Sequence, residues 1–350
     1  MRRKNRTIMP CIAGILLLAG CSSAADSMTL AAGTAAAGLA APQQGGWTQV
    51  WFDDFTGNAL DRSKWAPEVS CWGGGNNERQ CYTDRPANIQ VRDGTLRLIA
   101  RRERFTGPLH PADTPTADTS RATQPYTSGK VRTRGLHAWT YGRFSARMKL
   151  PSGLGTWPAF WMMPADSAYG TWPLSGEIDI MEAVNLGAPC AECPGGEEQR
   201  TSSALHFGGL YPDNTYRYAK TSGERRPGPA DEWRVYSLEW AEGVVQTFVD
   251  GELVMRIEAS DWHTAAPGAV GRPDAPFDKP FYLILNLAAG GNLPERSPGG
   301  GFDPASFPAE LLVDWVRVEH CAIDIETGRA CLTGADWQGE LLGPWEADTG

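Results

Sequence analysis

The most constraining feature of this 350-residue chain is the spacing of its apolar residues, which favours β-strands through most of residues 47–321. Successive side chains of a β-strand point to opposite faces, so an apolar residue at every second position indicates a strand with one buried face. Residues 96–101 and 143–148 show this alternation, with arginines among the intervening positions. Long stretches with a helical period are few, so we predict one all-β domain, a β-sandwich.

Other segments fit the same architecture. Residues 244–255 predict a hairpin, because two strand-like runs flank Asp250 and Gly251, a favoured two-residue turn. Residues 281–287 and 311–319 predict further strands. Long loops on a rigid sheet commonly border binding sites. The segments that we predict to be such loops are residues 105–125, 186–200, 259–276 and 293–308.

Three acids stand close together in one predicted strand. Residues 176–183 read GEIDIMEA, an otherwise apolar stretch. Glu177 and Asp179 share one face of this strand, and Met181 is the next residue on that face. A β-bulge, which inserts one extra residue, would return Glu182 to the face of the other two acids. We therefore expect the three carboxylates to line one concave surface.

Such a cluster is costly, because burial and mutual repulsion disfavour the charged forms of the carboxylates. Glycoside hydrolysis uses a group of this kind, since one carboxylate acts as the nucleophile and a protonated one acts as the general acid. A solvated edge strand or an acidic metal site would also account for the acids. Apolar packing would not.

The N-terminus predicts export. Residues 1–20 have the character of a signal peptide, because four basic residues precede an apolar run over residues 8–19 that is too short to span a bilayer as a stable helix. Residues 18–21 read LAGC and resemble a bacterial lipobox, so we expect cleavage before Cys21 and acylation of that cysteine. Cleavage by ordinary signal peptidase near residues 24–25 is the alternative.

We expect the exported protein to be a lipoprotein anchored in the outer membrane, because Ser22 resembles the sorting signal for that membrane. A secreted or periplasmic form is the alternative. Residues 21–46, rich in Ala and Gly, predict a flexible tether. Residues 47–321 form the predicted catalytic domain, and residues 322–350 form a short acidic tail.

The charge of the chain narrows the choice of partner. The formal net charge is −9 at pH 7 and becomes −13 once the leader and its four cations are removed. An acidic protein of this kind disfavours nucleic acid and anionic polysaccharide as partners. We expect a neutral polymer as the partner, and a monomeric protein.

The cysteines predict disulfides. Six remain after Cys11 leaves with the leader and Cys21 is acylated, and an even number is typical of exported disulfide-bonded proteins. Six cysteines allow fifteen pairings, among which we favour pairing between neighbours. Cys190 and Cys193 also fit a redox or zinc C-x-x-C, but they lack a second ligand pair and a helix start. The six are Cys71, Cys81, Cys190, Cys193, Cys321 and Cys331.

Several segments, in the right order, resemble glycoside hydrolase family 16. They are residues 51–55 (WFDDF), 76–82 (NNERQCY), 141–144 (YGRF) and 155–161 (GTWPAFW). With the bulged E-x-D-x-x-E pattern of residues 177–182, they are similar to laminarinase-like members. The resemblance covers nearly all of residues 47–320. It implies a concanavalin A-like, jelly-roll β-sandwich with a concave substrate cleft.

The resemblance also implies roles for the acids. Glu177 is the nucleophile, Glu182 is the general acid and then the general base, and Asp179 modulates their protonation. The family retains anomeric configuration, a mechanism in which the two working carboxyl groups stand about 5 to 5.5 Å apart. No cofactor is implied for catalysis.

Aromatic and polar residues suit a sugar cleft. The chain has 14 Trp against 11 Phe and 9 Tyr, and an indole offers both an apolar face for a pyranose and an N–H donor. We expect Trp240 and Trp315 to lie in the core, and His206 equally suits a buried structural role. The tryptophans that match subsite positions of the family are Trp157, Trp161 and Trp172. The residues that resemble hydrogen-bonding groups of the cleft are Asn77, Arg143 and His206.

One position suggests a metal. Asp314 matches a family position that binds a structural calcium in many members, with backbone carbonyls near Asp54 and Gly94 as further ligands. Calcium favours such oxygen ligands. A local cap or ion pair would also explain Asp314.

The sequence therefore predicts an endo-acting hydrolase of β-1,3 glucan or mixed-linkage β-1,3-1,4 glucan. The two loop cysteine pairs and Arg234 depart from the best-known laminarinases and leave the exact polysaccharide open. Hydrolysis of agarose or carrageenan is an alternative. A non-catalytic glucan-binding surface protein is another, which the intact acids disfavour.

Overall fold

The computed structural model describes residues 45–114, 116–225, 228–230, 232–334 and 337–344. The predicted signal peptide, Cys21 and nearly all of the predicted tether lie outside the described residues. The strands are β1 (Trp47–Asp53), β2 (Ala66–Pro67), β3 (Gln80–Tyr82), β4 (Ile89–Arg92), β5 (Thr95–Pro108), β6 (Arg121–Ser128), β7 (Lys130–Arg132), β8 (Gly142–Lys149), β9 (Thr156–Pro164), β10 (Glu177–Glu182), β11 (Ser202–Gly208), β12 (Asn214–Lys220), β13 (Arg234–Ala241), β14 (Val244–Val249), β15 (Glu252–Glu258), β16 (Phe281–Ala289) and β17 (Ala309–Cys321).

Helical segments are short. No helix in the described ranges has the length and apolar character that a membrane span requires. The segments are the α-helix α1 (Asn292–Arg296) and the 3₁₀ turns Gly73–Gly75, Pro194–Gly196, Pro267–Ala269, Pro304–Ser306 and Arg329–Cys331.

The strands form two sheets that pack face to face, which confirms the predicted all-β sandwich. The larger sheet has the order β15-β14-β13-β8-β17-β5-β6-β3, with β1 also beside β17 and β4 also beside β5. The smaller sheet has the order β12-β11-β10-β9-β16-β7-β2. Side chains from both sheets share one apolar core, in which Trp240 of the larger sheet meets Phe281 of the smaller at 5.4 Å between ring centroids.

The alternation in the sequence locates most strands correctly. Strands β5 and β8 bury their alternating apolar residues, and β16 and β17 extend the predicted runs by a few residues. The hairpin of β14 and β15 turns at Asp250 (φ 50°) and Gly251 (φ 83°), the positive values that a two-residue turn of this kind needs.

Two expectations about the fold are wrong. Residues 105–125 are not one long loop, because β5 runs to Pro108 and pairs with β6 from Arg121, with Phe105 opposite Gln124. This pairing has largely exposed side chains, so no apolar alternation marks it in the sequence. Trp315 is only partly buried and lies under the Arg317 guanidinium, whereas Trp240 is in the core as expected.

All three cysteine pairs form disulfides between neighbours, as favoured. They join Cys71 to Cys81, Cys190 to Cys193, and Cys321 to Cys331. The sulfurs of Cys190 and Cys193 are therefore bonded to each other and offer no thiolate to zinc.

Candidate active site

The three acids lie on β10, the third strand of the smaller sheet. Against β9, Asp179 is opposite Trp161, and the next pair joins Met181 to Phe160, so one extra residue is inserted in β10. This shift is the predicted β-bulge. It turns Met181 into the core, where only 1% of its surface is exposed, and brings Glu182 back to the face of Glu177 and Asp179.

Glu177 begins the strand and is partly exposed. The Trp172 indole Nε1 donates a hydrogen bond to Glu177 Oε2, and 44% of the Trp172 side chain remains open to solvent. The preceding residue must be glycine, because Gly176 has a φ of 82° and a Cβ there would lie 2.8 Å from the Phe277 ring. Local backbone geometry thus fixes where the predicted nucleophile emerges.

Asp179 is the buried member of the cluster, with 2% of its surface exposed. Burial, together with the charges of Glu177 and Glu182, raises the pKa of Asp179 well above its usual range. His206 Nε2 lies 3.2 Å from Asp179 Oδ2. Burial lowers the pKa of His206, but the contact with Asp179 and the surrounding carboxylates outweigh it and raise that pKa to about 9. His206 therefore carries a proton at neutral pH.

Glu182 has the properties of a general acid. Burial raises its pKa, while the hydrogen bond from Trp157 and the charge of His206 oppose the rise. The Trp157 indole Nε1 donates to Glu182 Oε1 at 2.9 Å. A carboxyl group that keeps its proton to higher pH is suited to protonate a leaving group.

Three members of the cluster lie close enough together to be compared with a metal site. One ligand atom from each of Glu177, Asp179 and His206 lies within 4.8 Å of the other two. A histidine must be neutral to bind a metal, so an ion here would have to displace the proton that the raised pKa of His206 favours. The contact of His206 Nε2 with Asp179 Oδ2 satisfies both charges without an ion.

Trp161, the remaining predicted subsite tryptophan, is positioned by a chain of hydrogen bonds that the sequence did not predict. Trp161 Nε1 donates to Asn286 Oδ1 at 2.6 Å, and Asn286 Nδ2 donates to the Tyr82 hydroxyl at 3.0 Å. Tyr82 in turn donates to Glu78 Oε2 at 3.3 Å. Tyr82 and Glu78 belong to the NNERQCY segment, so the motif was visible, but its link to Asn286 spans 204 residues and left no local signal.

Asn77 hydrogen-bonds the first residue of α1, and its role as a cleft residue stays a prediction. Its Nδ2 donates to Asn292 Oδ1 at 3.0 Å, and the Asn292 N–H donates to the carbonyl of Asn76 at 2.7 Å. A Cβ on the neighbouring Gly291 would lie 3.0 Å from that carbonyl and 3.4 Å from the Trp157 ring. The loop that carries Asn77 is therefore close to the indole that binds Glu182.

Arg143 is not a cleft residue, and that prediction is wrong. It lies on β8 in the larger sheet, where its Nε and Nη2 donate to Glu319 at 2.7 and 2.9 Å. Glu319 is 1% exposed, so its charge needs this partner. The YGRF segment thus identifies a strand that supports the sandwich rather than a group that contacts sugar.

The Asp314 carboxylate, the predicted side-chain ligand of a calcium ion, forms an ion pair. It accepts a hydrogen bond from Arg147 Nη1 at 2.5 Å, so a guanidinium already neutralises it. This is the local ion pair that the sequence offered as the alternative explanation of Asp314. Calcium binding by Asp314 with backbone carbonyls near Asp54 and Gly94 stays a prediction.

Comparison with known proteins agrees with this geometry. The chain is 40% identical over 293 residues to the glucan endo-1,3-beta-glucosidase A1 of Niallia circulans, covering 79% of this chain and 38% of that protein. It is 38% identical over 278 residues to the beta-glucanase of Rhodothermus marinus, covering 78% and 85%. The chain thus spans well under half of the first relative and most of the second.

Solved structures and a family model give the same assignment. The X-ray structure of the laminarinase from Rhodothermus marinus matches with a TM-score of 0.60 at 36% identity, covering 78% of this chain and 97% of that one. The model for glycosyl hydrolases family 16 matches residues 76–317, which include the three acids of β10. With its sandwich, its bulged acid strand and these matches, the chain belongs to glycosyl hydrolases family 16.

Proposed function

We propose that this protein is an endo-acting glycosidase that cleaves β-1,3 bonds in a neutral glucan, with mixed-linkage β-1,3-1,4 glucan as a second substrate. The observation that carries the proposal is the bulge, which places Glu177, Asp179 and Glu182 on one face with a tryptophan N–H on each outer acid. The glucanases among its relatives support the choice of glucan.

In the first step Glu177 attacks the anomeric carbon and forms a glycosyl-enzyme ester. The bond from that carbon to the glycosidic oxygen breaks, and Glu182 gives its proton to the departing oxygen. The hydrogen bond from Trp172 holds the attacking carboxylate in place. The raised pKa of Glu182 keeps the proton available until it is needed.

In the second step Glu182, now ionised, removes a proton from a water molecule that attacks the same carbon. The ester bond to Glu177 breaks, and the sugar leaves with its original configuration. The Trp157 hydrogen bond and the charge of His206 stabilise the ionised form of Glu182 at this stage. Asp179 and protonated His206 thus link the charge states of the two working acids.

A non-catalytic glucan-binding protein would not need this arrangement of acids. A sugar-binding protein needs the tryptophans but not a nucleophile beside an acid of raised pKa. Agarose and carrageenan stay as alternative substrates of the same chemistry, and the net acidity of the chain disfavours the sulfated polymer.

Product analysis of the purified protein on laminarin, mixed-linkage glucan, agarose and carrageenan tests the proposal. Short β-1,3 oligosaccharides released early from laminarin, with retained configuration, are the expected result. Glu177→Gln should abolish release, whereas Glu197→Gln, an exposed glutamate outside the cluster, should not. Glu182→Ala should keep activity on aryl glycosides with good leaving groups. Full activity of Glu177→Gln would refute the mechanism.

We also propose that the protein is an exported lipoprotein attached through Cys21 to the outer membrane. The basic start, the short apolar run and the LAGC sequence support this. Membrane fractionation and the mass of the mature N-terminus test it, with Cys21→Ser expected to release the protein from the membrane. An unmodified N-terminus near residues 24–25 would show the secreted alternative.

A further inference from the structure

A row of aromatic rings leads from the catalytic acids to the edge of the smaller sheet. Ring centroids are 6.0 Å apart from Trp172 to His206, 5.2 Å from His206 to Tyr216, and 5.8 Å from Tyr216 to Tyr218. We call these four residues the aromatic row. Its last two members, Tyr216 and Tyr218, take no part in either step of the hydrolysis.

Strand register places the row on the face of the acids. Glu177 is opposite His206, and His206 is opposite Tyr216, so the three side chains project from the same face. Tyr218 is two residues further along β12 and shares that face. Both tyrosines are partly exposed and lie outside the apolar core, and Lys220 Nζ lies 5.7 Å from the centroid of the Tyr218 ring.

The C-terminal tail holds the outer end of the row. Strand β12 is the edge of the sheet, and Leu342 pairs with it through two backbone hydrogen bonds. The Tyr218 N–H donates to the Leu342 carbonyl at 3.0 Å, and the Leu342 N–H donates to the Tyr218 carbonyl at 2.9 Å. The backbone that carries the last ring is therefore fixed from outside, where an edge strand is otherwise unpaired.

The tail is itself anchored at several points on the way to β12. The Cys321–Cys331 disulfide closes its beginning, and the Thr333 N–H donates to buried Glu239 at 2.8 Å. Trp337 and Leu341 then pack against the core. The family model matches residues 76–317, so the whole tail lies beyond the matched residues.

We propose that Tyr216 and Tyr218 form an outlying sugar-binding subsite and that the tail keeps it in position. The ligand is a neutral β-linked sugar of the same chain that is cut at Glu177 and Glu182, so the inference rests on the proposed function. An aromatic face packs on the C–H groups of a pyranose, and the phenol adds a hydrogen bond. A platform that is fixed before binding loses less entropy when the glycan arrives.

Chain-length dependence tests the subsite. In the full-length protein, Tyr218→Ala should lower the ratio of kcat/KM for a laminarin octasaccharide to that for the trisaccharide by about threefold to tenfold, the effect of losing one aromatic contact. The loss should lie in KM for the long substrate rather than in kcat. Tyr211→Ala removes a tyrosine that is 84% exposed and outside the row, so it is the matched control.

A second pair of variants tests the tail. Leu342→Pro removes the N–H that bonds Tyr218 and should reduce the same ratio, whereas Leu342→Ala keeps both backbone bonds and should not. An unchanged ratio in Tyr218→Ala, or an equal loss on both substrates, would overturn the inference while leaving the proposed function intact. A wild-type protein that cleaves neither oligosaccharide would refute the proposed function and the ligand named here.

Discussion

Replacing Trp157 with phenylalanine should raise the pH at which activity is lost on the alkaline side. The indole donates to Glu182 at 2.9 Å and thereby favours its ionised form. A hydrogen bond to a charged group contributes roughly 1.5–3 kcal/mol, and the lower end applies because Glu182 is partly exposed. At 1.36 kcal/mol per unit, the pKa of Glu182 should rise by about one unit.

The assay is the pH profile of kcat/KM on laminarin, whose alkaline limb reports the general acid of the free enzyme. Trp161→Phe is the control, because Trp161 lies on the same strand but its indole bonds Asn286 instead of an acid. It should weaken substrate binding and leave the limb in place. If the alkaline limb of Trp157→Phe did not move, or if both variants shifted it equally, the hydrogen bond from Trp157 would not determine the pKa of Glu182.

Three other results are expected. Arg143→Met should leave kcat/KM unchanged and lower the free energy of unfolding by about 3 kcal/mol, because it leaves buried Glu319 without its main partner. Denaturant unfolding measures the loss. Adding Glu319→Leu to the variant should restore much of the stability. The pKa of His206 rises from 6.5 to about 9 on folding, so protonated His206 should stabilise the protein fully below pH 6.5 and lose that contribution as the pH rises through 9. The free energy of unfolding of His206→Gln should therefore depend less on pH over this interval than that of the wild type. An equally steep dependence in both proteins would contradict the assignment. Replacing both Cys321 and Cys331 with alanine should lower the free energy of unfolding by about 2.7 kcal/mol, the chain-entropy estimate for a ten-residue separation. Thermal unfolding measures this as a lower melting temperature than that of Tyr211→Ala, a control variant that keeps the disulfide.

The features that could be predicted from the sequence are those determined by residues close together along the chain. The bulge was predictable because its three acids lie within six residues, and a strand offers only two faces. The hairpin of β14 and β15 and the neighbouring disulfides are local in the same sense. Motif resemblance marked Trp157 and Trp172 as subsite tryptophans, and the structure adds that their indoles bond Glu182 and Glu177.

The wrong assignment of Arg143 and the omission of Asn286 have the same physical origin. Arg143 and Asn286 are defined by partners 176 and 125 residues away, so nothing near them in the sequence tells which sheet or which face they occupy. A motif such as YGRF marks a position in the family without stating whether that position touches substrate or supports the fold. The extra pairing of β5 with β6 was missed for the opposite reason, because its exposed residues carry no apolar alternation.

Three acids coexist on β10 because each has a close polar partner, and each partner comes from a different part of the fold. Trp172 of the preceding loop bonds Glu177, His206 of β11 contacts Asp179, and Trp157 of β9 bonds Glu182. The two tryptophans are neutral, so only His206 supplies a full positive charge. That charge sits at the most buried acid, where repulsion from both neighbours is greatest. The register of β9, β10 and β11 therefore brings Trp157 and His206 to the two acids whose pKa values are raised, Glu182 and Asp179.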